Sequence, residues 1–239
     1  MSVVLILGSG PNVLSCRTWP RDPFDRIVAI NNAWAVRPDW DDLIYPEDFP
    51  AERHPPVIAN GQRVITASEY VPLQNTLGGF VYAGGTMAFT AAYWALAALR
   101  PRVIAMLGCD MVYRQNTNTH FYGKGAPDPL RADITLRSLE AKSARLMAIA
   151  ARQNCAMVNL SRDESRLIFP RSSQALVHQA AIPEIDEGLV KHALAEETRL
   201  GYYVQSGKYW KEESRFDTSA IDALDALWLR SARLPQTVS

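Results

Sequence analysis

The chain alternates short, unbroken apolar runs with longer segments whose apolar residues recur at helical spacing. Val3–Leu7 (VVLIL) is apolar at every position and ends in glycine, the pattern of a strand buried on both faces of a parallel sheet. Arg26–Ile30 (RIVAI) repeats the pattern and runs into Asn31-Asn32. Arg102–Leu107 (RVIAML) closes on Gly108-Cys109-Asp110, and Ala156–Leu160 (AMVNL) closes on Ser161. Leu43–Tyr45 and Val57–Ala59 are shorter strand candidates.

Between these runs the spacing predicts helices. Gly85–Leu99 is alanine-rich and apolar nearly all round, so it should lie deep in the core. Leu136–Arg152 is amphipathic, with Leu139, Leu146, Met147 and Ala150 on one side and Glu140, Lys142 and Arg145 expected to point away. Strands alternating with helices predict an α/β fold: a doubly wound, mostly parallel, Rossmann-like sheet flanked by helices. After about residue 180 the pattern changes. Pro183, Glu184, Asp186 and Glu187 suit the positive end of a helix that Gly201 terminates. A final helix fits Ser219–Arg230, with Ile221, Leu224 and Trp228 on one face. The aromatic stretch Tyr202–Phe216 has no clear period and is expected to dock on the domain or on a second subunit, which would make a homo-oligomer. The expected organisation is a nucleotide-binding catalytic domain over residues 1–180 and a C-terminal helical extension over 181–239.

Composition narrows the function classes. Twenty-five basic and twenty-five acidic residues cancel, which argues against a general nucleic-acid binder. Cys16, Cys109 and Cys155 are far apart without CxxC spacing, as expected of buried thiols in a reducing compartment. No stretch approaches the ~20 apolar residues needed to span a bilayer, and the first apolar run lacks a basic flank. The expected location is cytoplasmic.

Ligands of doubly wound sheets bind beyond the carboxyl ends of the strands. The unusual polar residues of this chain stand at those ends: Gly8 to Asn12, Asn31-Asn32, Asp110 and Ser161. In Gly8-Ser9-Gly10-Pro11, glycines after a strand let backbone amides approach a phosphate. A nicotinamide fingerprint would need a third glycine where Val13 stands and an acid where Asn31 stands, so that cofactor is disfavoured. The plain alternative is a tight turn. His120, in Thr119-His120-Phe121-Tyr122-Gly123, is a loop histidine able to act as general base near neutral pH, or a surface histidine without a task. His54, His178 and His192 are weaker candidates. Asp39-Trp40-Asp41 matches a metal–diphosphate motif but reads better as solvated loop acids. Zinc spacing, a P-loop and a hydrolase elbow are absent, and no metal site is expected.

The order of these features resembles the bacterial sialyltransferases of glycosyltransferase family 42, and more loosely a set of related pterin-diphosphokinase-like domains. The family's Gly-Asn-Gly-Pro-Ser loop is matched by Gly8-Ser9-Gly10-Pro11-Asn12, and its strand-end asparagine by Asn31. Its Thr-Ser-Gly turn before a long apolar helix is matched by Ala83-Gly84-Gly85-Thr86. Its Gly-Ile-Asp with a following tyrosine is matched by Gly108-Cys109-Asp110 and Tyr113, and its Ser-His-Tyr-Ile-Gly by Thr119 to Gly123. A later strand ends near Ser161. The resemblance covers roughly residues 1 to 170, motif by motif.

It implies inverting, metal-independent transfer of a sugar from a nucleotide-sugar donor, of CMP type, to a glycan hydroxyl. His120 would be the base and Tyr113 would stabilise the leaving phosphate. Gly8, Ser9, Gly10, Pro11, Asn12, Asn31, Gly84, Gly85, Thr86, Gly108, Asp110 and Ser161 would hold the donor. The chain departs from the family at Ser9 and Gly84, and in the short stretch between Asp110 and His120. The alternatives are a magnesium/ATP-dependent diphosphokinase using Asp110 and Asp128, and a catalytically silent nucleotide-binding protein.

Overall fold

The computed structural model describes residues 2–113, 118–123 and 132–232. Its centre is a parallel sheet of six strands: β1 (Val3–Leu7), β2 (Arg26–Ile30), β3 (Asp42–Ile44), β4 (Arg63–Ile65), β5 (Val103–Leu107) and β6 (Ala156–Asn159). The order across the sheet is β4-β3-β2-β1-β5-β6, with Val3 beside Val103 and Leu7 beside Leu107. β1 is therefore central. The chain moves outward from it to β4, then returns to its other side for β5 and β6.

The alternation of side chains along each strand divides the core in two. Val4, Ile6, Val28, Ile104 and Met157 face one layer, and Val3, Leu5, Ile27, Val103 and Val158 face the other. The first layer holds all the described α-helices: α1 (Ala67–Asn75), α2 (Phe80–Ala83), α3 (Met87–Leu99), α4 (Leu139–Arg152), α5 (Glu187–Leu200) and α6 (Thr218–Ser231). The second is covered by 3-10 helices, Pro11–Thr18, Asn31–Ala35 and Gln174–Gln179, carrying Val13, Cys16, Ala33 and Val177. Connections toward β4 and toward β6 thus run over opposite faces, as a right-handed crossover requires when the direction of travel reverses.

The α/β expectation holds, with local differences. Val57–Ala59 is not a strand. Two prolines precede it, and Val57 is 73% exposed; the edge strand forms at Arg63–Ile65 instead. α1 was missed, although Thr66 and Glu69 make a capping box at its start. α3 begins at Met87 after its cap Thr86, and α4 begins at Leu139, capped by Ser138.

One expectation is reversed. Lys142 and Arg145 of α4 are each 1% exposed, because α5 and α6 cover the side that periodicity assigned to solvent. Lys142 Nζ pairs with Asp225 at 2.8 Å, and Arg145 holds both oxygens of Glu197 at 2.7 and 2.8 Å. Tyr93 and Trp228 add hydrogen bonds to that pair. Tyr209 and Phe216 are buried and Tyr202 stacks on Tyr82, so the aromatic stretch docks on the body of the protein, sharing one apolar core with α3 and α4.

Candidate functional site

The carboxyl ends of β1 and β5 lie side by side where the order of the sheet reverses, the place where such sheets open a crevice. The two strand-end loops are stitched together. The Gly8 amide donates to Leu107 O and the Gly10 amide to Gly108 O, each at 2.8 Å. A Cβ on Gly8 would run into the Gly108 carbonyl and lie 2.6 Å from Cys109 Sγ, and Gly108 itself sits at φ +73°. Glycine is needed here for close backbone approach. The amides of Gly8 and Gly10, expected to face a phosphate, are therefore committed to the neighbouring loop.

Above them opens a cleft of about 850 Å³. It brings together Gly8, Ser9, Gly10, Pro11, Asn12, Asn31, Thr86, Gly108, Asp110, Tyr113 and His120 of the expected set. Ser161 is not in the lining but stands behind Asn12, with its Oγ 2.8 Å from Asn12 Nδ2. Gly84 and Gly85 lie elsewhere, against Phe89 and Tyr209, and the Gly85 amide donates to Thr135 Oγ1 at 2.8 Å. Asp128 lies outside the described residues.

Asp110 is a hub. Its Oδ2 accepts from Asn12 Nδ2 at 2.6 Å and its Oδ1 from Asn159 Nδ2 at 3.1 Å, with Arg171 Nη1 3.9 Å from Oδ1. Asn12 Nδ2 also stands 2.9 Å from Asp163 Oδ2, so its two hydrogens face three acceptors. Three polar atoms of the lining residues remain without a partner among the described residues: Ser9 Oγ, Asn12 Oδ1 and Asn31 Oδ1, all buried. A buried polar atom left unpaired costs about 1–3 kcal/mol, so this wall carries unmet hydrogen-bonding capacity among the described residues. Asn31 (φ +52°) and Met111 (φ +54°) also hold left-handed backbone, costing about 1–3 kcal/mol each, a strain that clusters at ligand sites. The first turn of α3 enters the lining through Thr86, Met87 and Ala88 and carries no acid. Its leading amides have no acceptor within the helix and favour negative charge.

The His120 loop lies over the glycine turn. Phe121 N donates to Ser9 O at 2.9 Å, and His120 and Gly123 exchange backbone hydrogen bonds at 3.0 Å. His120 Nδ1 is 2.8 Å from Thr119 Oγ1. The ring stacks on Tyr122 at 4.9 Å and lies 6.3 Å from that of Tyr113. Burial, and then the positive charge of Arg53, hold the imidazole below its ordinary value of 6.5.

Phe49, Arg53, Asp163 and Glu164 also line the cleft and were not anticipated. Phe49 and Arg53 stand on the loop after β3, where no period marks them. Their setting is firm: His54 stacks on Tyr45 at 4.7 Å and on Phe49 at 5.6 Å, and Trp34 Nε1 donates to Arg53 O at 2.9 Å. Asp39 and Asp41 do not reach the cleft. Asp39 pairs with Arg37, while Asp41 holds Arg21 and the Ile27 amide, so both serve the fold and not solvent alone. Among the described residues no group of three or more His, Cys, Asp or Glu side chains is arranged to hold a metal ion, and no helix is long and apolar enough to cross a membrane. No family model, curated protein or solved structure matches this chain.

Proposed function

We propose that the cleft binds a nucleotide-activated sugar, of CMP type, and that the protein transfers the sugar to a hydroxyl acceptor with inversion. The observation that supports this reading is the place of the His120 imidazole in the wall of a polar cleft at the switch point of the sheet. In the reaction His120 Nε2 removes the acceptor's hydroxyl proton as the oxygen attacks the anomeric carbon. The bond from that carbon to the phosphate oxygen breaks, and the nucleotide leaves with the electron pair. Tyr113 would donate a hydrogen bond to the departing phosphate, where charge develops. Ser9, Asn12 and Asn31 offer the unpaired polar atoms that a sugar or nucleobase would satisfy.

A second reading, magnesium/ATP-dependent diphosphoryl transfer, draws on the carboxylates of Asp110, Asp163 and Glu164 at the other end of the cleft. It fits less well. Both Asp110 oxygens already accept side-chain amide hydrogens, so a cation would share this carboxylate with Asn12 and Asn159. The experiment that separates the two is nucleotide release from CMP-activated and ATP substrates in the presence of hydroxyl acceptors. Acceptor-dependent release of CMP without magnesium supports sugar transfer. Magnesium-dependent AMP formation alone overturns it.

A further inference from the structure

We propose that Arg53 is the anion-binding residue of this cleft and takes a phosphate or carboxylate group of the substrate on the wall beside His120. The inference deepens the sugar-transfer reading and rests on the cleft being a substrate site. It starts from how charge is distributed along the lining. Arg53 stands at the β3 end and is the one lysine or arginine among the described lining residues, while Asp110, Asp163 and Glu164 stand at the β5–β6 end. An anionic group entering the cleft is drawn toward the first end and repelled from the second.

Arg53 is also free to receive it. Its own loop carries Glu47, Asp48 and Glu52, yet none of them pairs with it; Glu47 reaches Lys208 instead, at 3.3 Å. Among the described residues no carboxylate forms an ion pair with the Arg53 guanidinium. The residue is held by its backbone and not by its charge. It ends the 3-10 turn Ala51–Arg53, its amide donates to Pro50 O at 2.9 Å, and Trp34 fixes its carbonyl. The ring stack of Tyr45, Phe49 and His54 braces the same loop. A guanidinium carried on a braced loop offers a planar fork to an oxyanion.

The usual anion donors of such a fold are committed elsewhere, since Gly8 and Gly10 donate to the backbone of the β5 end. Among the described lining residues that leaves Arg53 and the acid-free first turn of α3 as positive features.

The test follows the His120 imidazole by NMR while inorganic phosphate is titrated into the full chain and into Arg53→Gln and Arg53→Lys. Arg53 is exposed, and an unchanged thermal midpoint will verify that the variants fold. The expected result is a saturable shift of His120, at least tenfold weaker in apparent affinity for Arg53→Gln and largely kept in Arg53→Lys. No saturable response, or an equal response in the full chain and Arg53→Gln, overturns the proposal. CMP and cytidine then locate the anion. Loss of CMP affinity in Arg53→Gln with cytidine unaffected places the donor phosphate there; unchanged CMP affinity places an acidic group of the acceptor there. If phosphate responds through Arg53 while CMP does not bind at all, the anion site stands and the nucleotide reading falls.

Discussion

The Gly10 amide donates to the Gly108 carbonyl at 2.8 Å, joining the loop after β1 to the loop after β5 across the floor of the cleft. A glycine pair that looks like a phosphate cradle is here the seam between two strand ends. The polar atoms of this wall left unpaired among the described residues are instead on side chains: Ser9 Oγ, Asn12 Oδ1 and Asn31 Oδ1.

That seam leaves no room for a methyl group. Gly8→Ala should destabilise the fold by about 1–3 kcal/mol through overpacking, measured by urea denaturation, because the Gly108 backbone, with Cys109 Sγ beside it, meets the new Cβ. A Gly8→Ala protein as stable as the parent would show that the two loops can part freely.

If His120 is the base proposed above, His120→Ala should lower the transfer rate about 10²–10⁴-fold while leaving nucleotide affinity nearly unchanged. Single-turnover rates with calorimetry on the same preparation check both halves. Transfer at the full rate would show that another group takes the proton.

The pH dependence has a definite direction. His120 is held below 6.5 by burial first and Arg53 second, so the acid limb of the rate profile should lie below pH 6.5, with a plateau through pH 7. Arg53→Gln removes one lowering influence and should move that limb upward. Stability follows the same linkage. Between the folded-state value and 6.5 the unfolded chain binds the extra proton, so folding stability should rise with pH across that window. A profile whose limb does not move in Arg53→Gln would separate the two residues.

Breaking the buried Arg145–Glu197 pair should cost far more than any surface change. Glu197→Ala leaves the Arg145 guanidinium uncompensated beneath α5 and α6, for a loss of about 3–5 kcal/mol. The double variant Arg145→Met, Glu197→Leu should recover most of that loss. Denaturation midpoints of the three proteins provide the check.

Much of the fold is legible in the sequence because β1, β2 and β5 are apolar at nearly every position, as buried parallel strands must be. β4 is only Arg63–Ile65, with Arg63 exposed, too short for a period to register. Lys142 and Arg145 misled because their acids come from α6 and α5, 83 and 52 residues away, and helical spacing carries no sign of such partners. At the site, strand-end residues could be found by rule, since Gly8 to Asn12, Asn31 and Asp110 each follow an apolar run. Arg53 and Phe49 could not. They reach the cleft through the shape of a loop, and neither sits in a motif.

The most direct measurement is calorimetric titration of the protein with CMP and with ATP, each with and without magnesium. One CMP site per chain, independent of magnesium and weakened by Asn31→Ala, is the predicted result. Absence of CMP binding together with magnesium-dependent ATP binding would contradict the nucleotide-sugar reading.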